Sequence, residues 1–243
     1  MAKRQKKSFF QFKKFTVHQD RTAMKVCTDA CVLGAISEFT DPTYLLDIGT
    51  GTGLLSLMVA QKYPESKIKS IELEPEAANQ AKENAKRSPF AHQIEVENTS
   101  FQSFIENKEN QFTGVICNPP FYVNDLQSTN NKKNVAHHQT TLRFEELAFG
   151  IQKILKPGGV SWILLPPVEM EKLSSIFAER FFFRTRSITL SHQVDMPVIR
   201  EISCFERREK EVPFQTEAIS IFHRDGTYTS RFVEALKEYY LIF

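Results

Sequence analysis

A chain of 243 residues, 41% hydrophobic and 25% charged, has the make-up of an ordinary globular protein and is long enough to bury a sizeable core. A net charge of +2 excludes neither anionic nor cationic partners, and Cys27, Cys31, Cys117 and Cys204 have no Cys-x-x-Cys spacing from which a metal site or disulfide framework could be read. No apolar run approaches membrane-spanning length and no secretory leader follows the basic N-terminus, so the expected compartment is the cytosol.

The cations are unevenly placed. Lys3, Arg4, Lys6, Lys7, Lys13 and Lys14 fall within the first fourteen residues, which hold no acid. A solvated, frayed terminus is the plainer meaning of such a run. Interleaved Phe9, Phe10, Phe12 and Phe15 favour instead a strand that packs and carries its lysines to an anionic partner. Residues 8–19 alternate loosely and read as a strand or hairpin arm. Thr28 or Asp29 is expected to cap a short helix running through Ile36.

From Tyr44 the pattern predicts strands over 44–48, 68–73, 94–97, 113–117 and 160–165. Helices fall between them, over 54–62, from Pro75 through Ala85, and briefly around 101–105. Leu147, Ile151, Ile154 and Leu155 form a helical stripe ended by Pro157-Gly158-Gly159. Strands then follow one another, over 181–190 and 198–205, as an antiparallel pair closing the sheet. Phe232, Leu236, Tyr239 and Tyr240 mark a last amphipathic helix. The expected fold is α/β, a doubly wound, mostly parallel seven-stranded sheet with an antiparallel pair at its C-terminal end. Residues 1–40 would be an extension and 41–243 the main domain. Residues 122–141 are polar and aperiodic, and read as a substrate-side flap, with a tolerated surface insertion nearly as good an account.

Asp47-Ile48-Gly49-Thr50-Gly51-Thr52-Gly53 follows the first of these strands and opens a helix. Glycines there let the backbone turn tightly and approach a ligand. Glu72 ends the next strand, where a carboxylate can accept both hydrogen bonds of a ribose diol. The glycines alternate, whereas a dinucleotide site wants Gly-x-Gly-x-x-Gly with pyrophosphate at the helix start. An anion such as Asp47 would repel a pyrophosphate but suits the cationic amino-acid end of S-adenosylmethionine. That cofactor is the favoured reading.

Val115 to Phe121 reads Val-Ile-Cys-Asn-Pro-Pro-Phe. Pro119 and Pro120 forbid continuation as a strand, and the first holds Asn118 extended. The result is a stiff finger at a strand end, with an amide side chain, the Pro119 carbonyl and the Phe121 ring. A planar exocyclic NH2 group is a poor nucleophile because its lone pair is delocalised. Two acceptors gripping its hydrogens, the Asn118 side-chain oxygen and the Pro119 carbonyl, would favour a pyramidal nitrogen, an interaction that strengthens in the transition state. Phe121 would stack on the ring. A Pro-Pro turn after a buried strand is the bland alternative, and these letters alone leave both open.

Together, Asp47 to Gly53, Glu72 and Asn118 to Phe121 resemble the class I S-adenosylmethionine-dependent methyltransferases that modify amino nitrogens, which implies their Rossmann-like fold. The run from Phe12 to Asp20, with Met24-Lys25-Val26 and Thr28-Asp29-Ala30, is similar to the opening of the bacterial tRNA1(Val) adenine-N6 methyltransferase family. Tyr228, Thr229-Ser230 and Tyr239-Tyr240-Leu241 resemble its ending. The resemblance implies that the target is the adenine 3′ of the anticodon. It also implies cofactor contacts from Thr28 and Asp29 near the methionine end, from Asp47, Gly49, Gly51 and Gly53, and from Glu72, Leu73, Ser100 and Phe101. Lys13, Lys14, His138 and Arg143 would meet the tRNA, with His137 beside them, although solvated loop histidines are the plainer account. Two departures stand out: Phe121 where many relatives carry Tyr, and Ser100 where the family often places Asp for the cofactor's adenine amino group.

Arg184, Arg186, Arg200, Arg207 and Arg208 would either hold the tRNA backbone or pair with Glu201, Glu206 and Glu209. Guanine-N2 methylation of ribosomal RNA, glutamine-N5 methylation of a protein, RNA binding with a vestigial cofactor pocket, and adenine-N6 methylation of ribosomal RNA remain as alternatives. The first two would ordinarily come with an additional N-terminal domain; the intact glycines and Asn118 argue against the third.

Overall fold

The computed structural model describes residues 8–22, 24–119, 142–211 and 213–243. Phe9–Gln11 (β1) and Thr16–His18 (β2) pair antiparallel, Phe9 opposite His18. The aromatic arm is therefore a hairpin, and it is packed. Phe12, Phe15 and Val17 are buried in one cluster with Tyr239 and Tyr240. Phe12 bridges to Tyr240 and the Lys13 amide donates to the Tyr239 carbonyl at 2.8 Å, so the hairpin is laced to residues 239–240.

Helix α1 (Thr28–Ile36) follows. Its N-cap is Cys27, with no side-chain cap hydrogen bond, rather than Thr28 or Asp29. Then come β3 (Tyr44–Ile48), α2 (Leu54–Lys62), β4 (Lys67–Glu72), α3 (Pro75–Arg87), β5 (Ile94–Asn98), α4 (Phe101–Phe104) and β6 (Phe112–Cys117). The C-terminal half holds α5 (Phe144–Ile154), β7 (Leu155–Leu165), α6 (Pro167–Ala178), β8 (Phe182–Gln193), β9 (Val198–Arg207), β10 (Gln215–Phe222) and α7 (Ser230–Leu236).

The principal sheet has the order β10-β8-β9-β7-β6-β3-β4-β5, with β9 antiparallel to both neighbours and the other pairings parallel. It has eight strands where seven are expected. The added one, β10, lies outside the antiparallel pair as an edge strand, and of its residues only Ile219 is fully buried, which leaves too faint an alternation to read. The sequence reading also places no element over α6, although Met170, Leu173 and Phe177 bury one face of it. Helix α5 stops at Ile154; Leu155 and Pro157-Gly158-Gly159 belong instead to an irregular start of β7, where the register against β6 shifts.

Successive residues of a strand point to opposite faces, and the two cores follow that rule. Leu45, Ile116, Trp162 and Leu164 join the cluster under α1, α2, α7 and the hairpin. Leu46, Val115, Cys117, Ile163 and Leu165 join the one under α4, α5 and α6. With both faces covered, β6 is buried at all six positions, and its last three residues, Val115, Ile116 and Cys117, run apolar up to Asn118. Among the described residues no helix is long and apolar enough to cross a membrane.

Candidate functional site

Strand order reverses at β3, which is flanked by β4 on one side and β6 on the other. Open α/β sheets bind ligands outside the carboxyl ends of the strands at such a reversal. Ile48 is paired with both Ile71 and Cys117. Gly49, Glu72 and Asn118 therefore leave three adjacent strands at the same level and the same end. The glycine run, the second-strand acid and the Asn-Pro finger, far apart in sequence, converge there.

The glycine loop has a fixed form. Gly49 and Gly51 have φ of +69° and +56°, and a Cβ on either would meet nothing within 4 Å. Glycine is needed there for the backbone, and the side facing away from the protein is open. Both the Gly49 and Thr50 amides donate to the Ile71 carbonyl, at 2.9 and 3.0 Å. Glu72 Oε2 accepts from the Gly51 amide at 2.9 Å, and its Oε1 from the Glu74 amide at 2.9 Å. Each oxygen keeps acceptor capacity, so the carboxylate is oriented without being used up.

Asp47 is fully buried beneath the loop. Its Oδ2 accepts from Thr50 Oγ1 and Ser56 Oγ, both at 2.6 Å, and from the Ser56 amide at 3.2 Å, tying the loop to the start of α2. Its Oδ1 has no hydrogen-bond partner among the described residues. Burial lifts the carboxyl from 3.8 to about 6 against the lowering pull of Ser56 and Thr50. A buried carboxylate with one unsatisfied oxygen, an oriented acid at the next strand end and an open glycine cradle fit a ligand that is cationic at one end and carries a diol.

At the finger, Pro119 is buried and Asn118 half-buried. Asn118 Nδ2 lies 3.9 Å from Met24 Sδ. Neither Asn118 Oδ1 nor the Pro119 carbonyl takes a hydrogen bond from another described residue. Pro120, Phe121, His137 and His138 and the whole stretch 122–141 lie outside the described residues, as do Lys3, Arg4, Lys6 and Lys7.

The remaining expected residues divide. Asp29 sits at the first turn of α1, pairing with Arg200 of β9 at 3.1 Å, and the Thr28 side chain lies against the Tyr240 phenol. Leu73 is exposed just beyond Glu72. The Ser100 hydroxyl caps α4, accepting from the Ser103 amide at 3.1 Å and donating to Ser103 Oγ at 3.0 Å. The Phe101 ring is buried; a Cβ on Gly150 would come within 2.3 Å of it. Arg143 opens α5 in a capping box with Glu146.

Lys13 and Lys14 are elsewhere. The Lys13 ammonium donates to the Phe243 and Lys237 carbonyl oxygens at 2.7 and 2.5 Å. Lys14 lines a cavity of about 350 Å³ with Ile36 and Lys62, the last residues of α1 and α2, which places it at the end of the sheet away from Asn118. Of Arg184, Arg186, Arg200, Arg207 and Arg208, four have acid partners: Arg184 with Glu171 and Glu201, Arg186 with Glu38, Arg200 with Asp29 and Arg208 with Glu206.

Sequence reasoning missed Asn84. It is fully buried on the alanine stripe of α3, where its Oδ1 accepts from the His18 amide at 3.0 Å. Its Nδ2 donates to the His18 and Thr52 carbonyls, both at 2.8 Å, so one side chain joins the N-terminal hairpin to the glycine loop. An amide on the face that carries Ala77, Ala81 and Ala85 was the available signal.

Residues 33–166 match the family model described as the methyltransferase small domain. A tRNA1(Val) (adenine(37)-N6)-methyltransferase of Dyadobacter fermentans is 45% identical over 236 residues, which are 96% of this chain and 98% of the relative. One of the same name from Cytophaga hutchinsonii is 37% identical, with 96% and 98% covered. Among solved structures, a predicted O-methyltransferase from Agrobacterium tumefaciens superposes with a TM-score of 0.68 at 15% identity, over 86% of this chain and 96% of that one; at that identity the likeness is one of fold.

Proposed function

Since the chain belongs to the family of tRNA1(Val) (adenine(37)-N6)-methyltransferases, we propose that it methylates N6 of the adenine 3′ of the anticodon in tRNA1(Val). S-adenosylmethionine, when bound, supplies a methyl group on a sulfonium. Asp47 and the glycine loop would hold the cofactor's cationic end, with Thr28 and Asp29 nearby, Glu72 would accept from its ribose, and Leu73, Ser100 and Phe101 would contribute to the rest of its site. Asn118 Oδ1 and the Pro119 carbonyl accept the two N–H bonds of the target amine, and Phe121 stacks on the base. The grip would favour a pyramidal nitrogen with its lone pair projected outward, and would tighten as the nitrogen becomes tetrahedral. Positioning and exclusion of water supply most of the acceleration, and the extra proton leaves to solvent after transfer. The base comes from a single-stranded loop, where unstacking costs little.

The observation that carries this reading is the pairing of Ile48 with Cys117, which sets the finger beside the glycine loop with both of its oxygen acceptors facing no described donor. Arg143, at the same end of the sheet, suits contact with the tRNA better than Lys13 or Lys14. Asn118→Ala removes one acceptor of two. Methyl transfer to tRNA1(Val) is expected to fall by about a hundredfold or more, with tRNA and cofactor affinities kept. Undiminished turnover refutes the role given to Asn118. In cells lacking the protein, nucleoside mass spectrometry should show N6-methyladenosine lost from one tRNA.

A further inference from the structure

Between β2 and α1, the described residues 19–22 and 24–27 cross the end of the sheet where the site lies, and they are held at several points. Asn84 takes the His18 backbone from both sides. The Arg21 amide donates to Gln80 Oε1 at 3.4 Å, and the Arg21 guanidinium pairs with Glu83 at 2.8 Å, both on α3. Gln19 Oε1 accepts from the Val26 amide at 2.8 Å, and Thr22 Oγ1 donates to the Met24 carbonyl at 3.0 Å. At the far end the Asp29–Arg200 pair ties α1 to β9. A segment fixed at so many points presents its side chains in set places. One of them, Met24, is left 51% exposed although it is a large apolar residue. Its sulfur reaches Asn118 Nδ2, across 94 positions of sequence.

That contact bears on chemistry. An amide has a donating end and an accepting end, and only the accepting end can grip an amine N–H. An Asn118 side chain turned the other way would set NH2 against NH2. A thioether is a weak acceptor with no donor, so it can accept from the Nδ2 end of the amide and has no hydrogen to offer the Oδ1 end. Its polarizable methyl and sulfur also suit the edge or face of an aromatic ring.

We propose that Met24 is a positioning residue of the transfer: its sulfur holds the NH2 end of Asn118, leaving the carbonyl end for the substrate amine, and its apolar body forms a wall of the slot for the target base. The inference rests on the role given to Asn118 above. The strap formed by residues 19–22 and 24–27 is then part of the site, and Asn84, Gln80 and Glu83 of α3 fix it there.

The test compares the full-length protein with Met24→Leu, which keeps the volume and loses the acceptor, and Met24→Ala, which loses both. Initial rates are measured against tRNA1(Val) transcript, with cofactor affinity by calorimetry and thermal melting as controls. Met24→Ala is expected to lower kcat about tenfold or more and to raise KM for the RNA. Met24→Leu should keep KM near that of the parent, restoring the wall, while kcat stays reduced. Cofactor affinity should be the same in all three. A parent enzyme that methylates tRNA while both variants match it in kcat and KM overturns the role of Met24 and leaves the proposed function standing. A Met24→Leu variant with full kcat overturns the orienting role of the sulfur. A parent that methylates no tRNA overturns the proposed function, and this inference with it.

Discussion

Asp47→Asn should stabilise the folded protein and weaken the site, with a pH dependence that identifies the cause. The rise of the carboxyl from 3.8 to about 6 is driven by burial and corresponds to about 3 kcal/mol between its two protonation states. Because the folded value is the higher one, the contribution to stability is fully present below 3.8 and is lost as pH rises through about 6. Asparagine keeps one oxygen to accept from Thr50 and Ser56 and has no charge to bury. The variant should therefore match the parent near pH 4 and exceed it by up to about 3 kcal/mol above pH 7. Urea unfolding at intervals across that range, without cofactor, measures the difference directly, and titrations of groups not coupled to Asp47 cancel in it. Binding should move the opposite way. Removing the anion is expected to weaken S-adenosylmethionine by about tenfold or more at pH 8. A stability difference that stays constant with pH would refute the assignment of the cost to this carboxylate.

Other substitutions separate the scaffold from the chemistry. Asn84→Leu leaves the His18 amide and the His18 and Thr52 carbonyls without their partner, and should cost about 3 kcal/mol or more in urea unfolding while weakening cofactor binding. Gly53→Ala puts a side chain at φ +83° with Ala81 no closer than 3.5 Å, so the expected loss of about 1–2 kcal/mol in a melting experiment is backbone strain rather than a clash. Lys13→Ala should lower the melting temperature through loss of its ties to the C-terminal end, and leave KM for tRNA unchanged. Activity measured against salt should fall steeply if phosphates are gripped by cations, with a slope of about −0.7 per single-stranded phosphate contact; a flat profile would remove the electrostatic part of the substrate reading.

What could be read from the sequence, and what could not, follows from how each feature is encoded. Strand β3 and helix α2 are legible to the residue because the glycine run punctuates the junction between them, and β6 to within one residue because both of its faces are buried. Strand β10 escapes notice because an edge strand buries little, and the caps of α1 and α4 because side chains choose among neighbours only once the backbone is fixed. Cations are the hardest to assign. Lys13 lies in the basic run that suggested RNA, yet its ammonium meets carbonyls more than two hundred positions away.

The same distinction runs through the site. Its reactive groups are coded in short contiguous motifs, since a loop that turns on glycine or a finger that stops on proline needs only its own neighbours. Its restraints are coded in pairs distant in sequence: Asn84 with His18, Asp29 with Arg200, Met24 with Asn118. A sequence motif can therefore supply the amide at Asn118 without fixing which end of it faces the substrate. That orientation depends on a strap anchored to α3 and α1, and a chain that kept every residue from Asp47 to Gly53 and from Asn118 to Phe121 but lost the strap would keep the parts of a methyltransferase without the geometry that aims them.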